Sequence, residues 1–127
     1  MNDEQKKALI EAYLSAYNRF DVDEMITLAH PDIVFQNVSG NEVTAEAIGI
    51  ENLRELAEGS KQLFSARCQQ ASNYRFEADK VTTDIAYEGT LAQDLPNGMK
   101  AGETLTLTGR SEFVISDRKF RRITDYS

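Results

Sequence analysis

From Thr104 to Ile115 polar and apolar residues alternate with a period of two. Thr104, Thr106, Thr108, Arg110 and Glu112 fall on one face, and Leu105, Leu107, Gly109, Ser111, Phe113 and Ile115 on the other. That period predicts a long β-strand with one buried face. Gly109 and Ser111 are out of place among Leu, Phe and Ile. A missing side chain and a hydroxyl there predict a face that lines a cavity, with Gly109 leaving room in it. The segment Val81 to Leu91 repeats the pattern, and its apolar phase puts Tyr87 on the same inner side as Ser111. Lys119 to Tyr126 is a strand with two possible phases. Ile123 inward brings Asp125 inward, whereas Phe120 and Tyr126 inward bring Arg122 and Thr124. The first phase is preferred, because burying Arg122 without a partner is costly. Asp125 then stands near the cavity.

Helical spacing appears earlier in the chain. Leu9, Ile10, Tyr13, Leu14, Tyr17 and Phe20 recur at intervals of three and four, which predicts an amphipathic helix from about Asp3 to Phe20. Asp21 is positioned as the cap of a short second helix, about Asp23 to Ala29, with Glu24 as its capping-box partner. His30 caps the end of that helix, and Pro31 stops it. Asp32 to Val38 reads as a strand, Ser39 to Gly49 as a loop and Ile50 to Phe64 as a third helix. Arg67 to Ala78 is the strand before Val81 to Leu91. Helices first, then consecutive hairpins, predict an α+β fold: a strongly bent antiparallel sheet with three N-terminal helices enclosing a pocket.

Composition narrows the partners. The chain has 127 residues, enough for one domain, and a net charge of −7. That charge argues against nucleic acid or an anionic membrane. Arg118, Lys119, Arg121 and Arg122 read as a solvated hairpin tip rather than an anion site. With no long apolar run, no signal-peptide pattern and Cys68 as the single cysteine, a cytoplasmic protein is expected. Cys68 reads as a small buried hydrophobe. One histidine and one cysteine make a zinc site improbable. No phosphate-binding glycine loop, dinucleotide fingerprint or nucleophile elbow occurs, so neither metal nor cofactor is expected.

The order of elements carries a resemblance, together with the segment Tyr13-Leu14-Ser15-Ala16-Tyr17-Asn18-Arg19-Phe20-Asp21-Val22-Asp23, the ending Asp117 to Tyr126 and the loop Leu95-Pro96-Asn97-Gly98 through Glu103. Over nearly its whole length the chain resembles the nuclear transport factor 2-like superfamily. The nearest branch is that of the SnoaL-like polyketide cyclases, with ketosteroid isomerase as a cousin. The resemblance implies a cone-shaped α+β barrel, a pocket at its open end and dimerisation through the sheet. Isomerases of this kind use a helix-1 tyrosine and a protonated aspartate as an oxyanion hole, with a second aspartate as base. By segment these fall on Tyr13, near Ser111 and on or beside Asn37. The tyrosine is kept and both acids are missing, so the standard isomerase mechanism is not expected. The cyclases rely on a different acid in the cavity, for which Asp125 is the candidate.

Two functions compete on these residues. One is a cyclase, isomerase or dehydratase type of enzyme acting on an apolar carbonyl compound, with Tyr13 and Asp125 as catalytic groups. The other is a non-catalytic ligand-binding or dimerisation module. In both, Tyr17, Asn37, Tyr87, Ser111 and Phe113 line the pocket and suit a small apolar or aromatic ligand. The threonine-rich outer face suits a wet homodimer interface.

Overall fold

Caps and left-handed residues set the helix boundaries. Asn2 accepts from the Gln5 amide at 2.8 Å and Gln5 accepts from the Asn2 amide at 3.0 Å, closing a capping box at the start of α1 (Asp3–Asn18). The helix stops short of Phe20 because Phe20 takes a left-handed conformation, φ 60°. Asp21 then accepts from the Glu24 amide at 3.1 Å and opens α2 (Val22–Thr27). The computed structural model describes residues 1–127. After α2 it runs through β1 (Ala29–Ser39), β2 (Glu42–Ile48), α3 (Ile50–Lys61), β3 (Phe64–Phe76), β4 (Val81–Leu91), β5 (Thr104–Ser116) and β6 (Lys119–Tyr126).

The strands form one open sheet in the order β2-β1-β6-β5-β4-β3. β3, β4, β5 and β6 make an antiparallel meander, and β1 and β2 a hairpin. The expected all-antiparallel sheet is corrected in one place, where β6 lies parallel to β1. Its partner is set by the return of the whole meander, not by a local turn. Helix α1 lies against β3, and α3 against β1 and β2, so the helices cover the concave face. No helix is long and apolar enough to cross a membrane.

Four local expectations change. Ser39 to Gly49 is not all loop but turns into β2, whose inward residues Ala45 and Ala47 are too small to register as a hydrophobic run. His30 does not cap α2. It lies in β1, where its Nδ1 accepts from the Asp32 amide at 3.0 Å and its Nε2 sits 3.5 Å from Asp117. Cys68 is exposed rather than buried, on the outer phase of β3 between the inward-facing Arg67 and Gln69. Gly109 leaves no free room, because an added Cβ would meet the Tyr126 carbonyl oxygen at 2.1 Å. Backbone occupies the space that a side chain would take.

The last strand resolves its two phases with an irregularity. Ile115 pairs with Phe120 but Val114 pairs with Arg122, leaving Arg121 as an extra residue. Phe120 and Ile123 are therefore both fully buried, while Arg122 stays exposed and donates to Gln36 at 2.9 Å. Phe120 sits at the centre of the core, edge-on to Tyr13 at 5.3 Å and tilted against Phe113 at 5.4 Å.

Two glycines predict opposite outcomes. Gly109→Ala forces the end of β6 away from β5 and is expected to destabilise by about 1–3 kcal/mol. Gly59→Ala in α3, with nothing within 4 Å of the added methyl, is expected to stabilise by about 0.5–1 kcal/mol. Urea midpoints of the two variants check both signs.

Candidate functional site

Strand register builds the site. Asn37 on β1 pairs with Asp125 on β6, Asp125 with Ser111 on β5, and Ser111 with Thr83 on β4. Paired residues of neighbouring strands share a face, so these four side chains form one polar row across the concave side. The next inward row is Phe35, Ile123, Phe113 and Val81, which is apolar throughout. The polar row thus rests on a hydrophobic floor.

Above this row lies a cavity of about 340 Å³. Tyr13, Tyr17, Asn37 and Tyr87 all line it, as do Ser111, Phe113 and Asp125. Every residue singled out from the sequence thus reaches the same space. Leu105 and Leu107 also line the wall, and Leu107 is 44% exposed, so the apolar face of β5 runs out to solvent at the mouth.

Asp125 is the single carboxyl in the lining. Ser111 Oγ donates to its Oδ1 at 2.6 Å. Removal from water pushes its pKa up to about 6, and the Ser111 bond only partly offsets this. The carboxyl is surrounded by protein yet reachable by solvent through the cavity. Asn37 is held from the side, donating to Thr44 Oγ1 at 2.8 Å. The Thr83 hydroxyl is fully buried with no partner.

Helix α1 supplies two phenols one turn apart, Tyr13 and Tyr17. Burial raises the pKa of Tyr13 far above its ordinary value, and the Asp125 carboxylate pushes the same way. No side-chain hydrogen bond acts on the Tyr13 hydroxyl. Tyr17 and Tyr87 instead pair hydroxyl to hydroxyl at 2.9 Å. Burial raises both pKa values, and Tyr17 is drawn back down by the Tyr87 bond and by Arg67. Phe64 stands edge-on to Tyr87 at 5.9 Å. It fits because Gly89 has no side chain: an added Cβ would meet the Phe64 ring at 2.8 Å.

Sequence reasoning missed Arg67. Its guanidinium stacks 3.6 Å from the Tyr17 ring centre and 4.4 Å from that of Phe20, and its Nε donates to the Tyr17 carbonyl at 2.8 Å. Its two terminal nitrogens are buried without a partner. In a period-two pattern an arginine reads as outward-facing, so no signal in the strand marked it. Thr83 and Gln69 were likewise passed over as ordinary strand residues. No group of three or more His, Cys, Asp or Glu side chains is placed to hold a metal ion.

The arrangement offers one titratable carboxyl, a free phenol beside it and a phenol pair further along. It can exchange a proton with a bound molecule at one end and donate hydrogen bonds at both.

Comparison with known proteins agrees with this architecture. Among solved structures, AclR of Streptomyces galilaeus, a hydroxylase candidate, superposes with a TM-score of 0.77 at 22% identity, covering 98% of this chain and 89% of that one. A polyketide cyclase candidate from Xanthomonas campestris gives 0.77 at 20% identity, covering 100% and 93%. An LEH-like epoxide hydrolase of M. tuberculosis gives 0.76 at 15% identity, covering 97% and 82%. Such identities establish a common fold and no more. No curated protein matches the chain in sequence. The family model of the SnoaL-like domain matches residues 10–123. With its α+β architecture and a cavity under the helices, the chain belongs to the SnoaL-like domain family.

Proposed function

We propose that this protein is an enzyme that binds a small, mostly apolar carbonyl compound and moves a proton on it through Asp125. One observation carries the reading. The single acidic side chain of a mostly apolar cavity is held by Ser111, has its pKa raised to about 6, and shares the space with the Tyr13 phenol; the one cation of the lining, Arg110, stacks on Tyr126. A group titrating near the working pH is suited to both taking and returning a proton.

The chemistry follows from the placement. The substrate carbonyl oxygen accepts a hydrogen bond from Tyr13, whose raised pKa keeps it a neutral donor. Ionised Asp125 takes a proton from the carbon beside that carbonyl, and the resulting enolate charge collects on the oxygen held by Tyr13. Protonated Asp125 then returns the proton. Return to another carbon is isomerisation. Return to the oxygen of a second carbonyl attacked by the enolate carbon is cyclisation. Return to a departing hydroxyl is dehydration. Each route restores the carboxylate.

Asn37 cannot abstract a proton, and Ser111 cannot act as a protonated acid. Asp125 lies beside both in the register, so this reading puts the proton-moving group on β6, one strand from Asn37. Ser111 then orients the carboxyl, and Asn37 the substrate oxygen. Tyr17, Tyr87 and Phe113 contact the ring system.

The second reading is a non-catalytic binding module, and the solitary carboxyl favours it. No other side chain of the lining can take up a proton at neutral pH if Asp125 is spent in binding. On the catalytic reading, Asp125→Asn lowers kcat for a carbonyl substrate that the protein turns over by about 10²–10⁴-fold, with binding retained. Tyr13→Phe lowers it by about 10²–10³-fold. The wild-type kcat/KM rises with pH and levels off above about 6, since the base must be ionised. Unchanged turnover in both variants sinks the assignment.

The same carboxyl predicts a pH-dependent stability. Its pKa is higher folded than unfolded, so the folded state binds the proton more tightly. The contribution is full below the ordinary value of 3.8 and is lost as pH rises through about 6. The loss amounts to at most about 3 kcal/mol, less whatever solvent entering the cavity recovers. Urea unfolding across this range should show the decline in the wild type and a flatter profile in Asp125→Asn.

A further inference from the structure

The phenol pair at the other end of the cavity has a role that proton transfer at Asp125 does not use. We propose that the Tyr17–Tyr87 hydroxyl pair, with the Arg67 guanidinium stacked against Tyr17, is a binding point for an ionised oxygen of the ligand, the phenolate or enolate end of a flat conjugated molecule. This deepens the reading of the cavity as a small-molecule site and rests on it.

The first observation is a charge without a counter-ion. Arg67 is 6% exposed and its Nη1 and Nη2 have no partner. Only its Nε is bonded, to the Tyr17 carbonyl near the end of α1. Two ring faces and a helix carboxyl end temper a buried cation but do not neutralise it. Arg67 does not line the cavity itself, whereas Tyr17, on which it stacks, does. The field of Arg67 therefore reaches the cavity at the Tyr17 hydroxyl, where it outweighs the opposing push of Asp125 and an anion is favoured.

The second observation is a proton count. Each phenol carries one O–H. In the 2.9 Å pair one hydroxyl donates and the other accepts, whichever way round they stand. One proton is left over, and an oxygen anion is its strongest acceptor. Burial keeps both phenols protonated, so the pair stays a donor. Gln69, paired with Tyr87 across β3 and β4, also lines the cavity, and its side chain bonds the Tyr17 hydroxyl and favours negative charge there.

The third observation is spacing. Tyr87 pairs with Leu107, four residues along β5 from Ser111, which is roughly 13 Å of strand. Tyr13 and Tyr17 bridge part of that length along α1. A ligand touching both ends carries oxygens on opposite sides of about two rings. A carbonyl meets Tyr13 and Asp125, and an acidic hydroxyl conjugated to it meets Tyr17 and Tyr87. The edge-on Phe64 and Tyr87 rings wall a slot for a flat frame.

The probe is 7-hydroxycoumarin, a two-ring lactone with its carbonyl and its acidic hydroxyl at opposite ends. Its excitation spectrum separates the ionised from the neutral form. The control is 7-methoxycoumarin, which cannot ionise. The wild-type protein should lower the pKa of the bound hydroxyl by about one unit or more, which is about tenfold tighter binding of the anion than of the neutral form. It should bind the methoxy control at least about tenfold more weakly. Tyr87→Phe and Tyr17→Phe should each remove most of the pKa shift while keeping the ring walls. Arg67→Met should remove it as well. That variant also strips a bond from α1, so Tyr87→Phe decides the matter if it does not fold. Asp125→Asn should leave the preference for the anion in place. Equal affinity for the two forms, or a preference that survives both phenylalanine variants, overturns the proposal. So does failure of 7-hydroxycoumarin to bind, and in that case the acid–base role of Asp125 still stands or falls on its own turnover test.

Discussion

Everything at the site depends on the parallel pairing of β6 with β1. β1 and β2 form a hairpin, and β3 through β6 form a meander; that pairing is the one sheet contact that joins the two. It also sets the register that lines up Asn37, Asp125, Ser111 and Thr83. A slip of one residue along β6 would turn Asp125 to the outer face and put Thr124 or Tyr126 in its place beside Ser111, since side chains alternate strictly along a strand. Two features hold the register. The extra residue at Arg121 lets Phe120 and Ile123 both bury, so a shift would expose one of them. Gly109 admits the Tyr126 carbonyl so closely that no other residue type leaves the strand end where it is.

The polar row sits on an apolar floor, and this contrast explains the titration of Asp125. The floor and the helix side chains exclude water, while only Ser111 donates to the carboxyl. Desolvation therefore outweighs hydrogen bonding and the pKa rises. A second donor to the carboxylate would pull it back towards its ordinary value and weaken it as a base. One N–H of the Asn37 amide, the nearest such donor in the register, is instead given to Thr44 on β2. The edge hairpin thus bears on the chemistry by holding that side chain towards β2 and off the carboxylate.

How much of this was legible in the sequence divides along physical lines. Alternation in β4 and β5 put Tyr87 and Ser111 on one face, and the cost of burying Arg122 selected the phase that turns Asp125 inward. Both inferences rest on local periodicity and on the penalty for an unpaired charge, which a sequence displays directly. The parallel β1–β6 contact, the β2 strand and the true role of Gly109 depend on which distant backbone arrives nearby, and no local pattern records that. Gly109 looked like space because a missing side chain is visible in sequence and a neighbouring carbonyl is not. Arg67 is the sharpest case. The penalty that excluded Arg122 from the interior is tolerated at Arg67, since two aromatic faces and a helix end receive it. Phe20 reaches that position only by adopting a left-handed backbone.

Polar groups without a hydrogen-bond partner gather around the site, with the Tyr74 hydroxyl of β3 a further one away from it. Thr83 stands beside Ser111 in the row, Arg67 lies against Tyr17, and the Tyr13 hydroxyl has only the cavity before it. Each is a group whose burial without a partner costs free energy, of order one to a few kcal/mol, and each would be replaced by an apolar side chain in a core built for stability alone. Of the three only the Tyr13 hydroxyl lines the cavity, and Thr83 and Arg67 stand directly behind the lining residues Ser111 and Tyr17. A wholly apolar guest would leave these groups as they are, and bulk water would hydrate the phenols but not the sealed guanidinium. A flat molecule with oxygen at both ends satisfies the row and the phenol pair together, and its apolar body covers the floor between them.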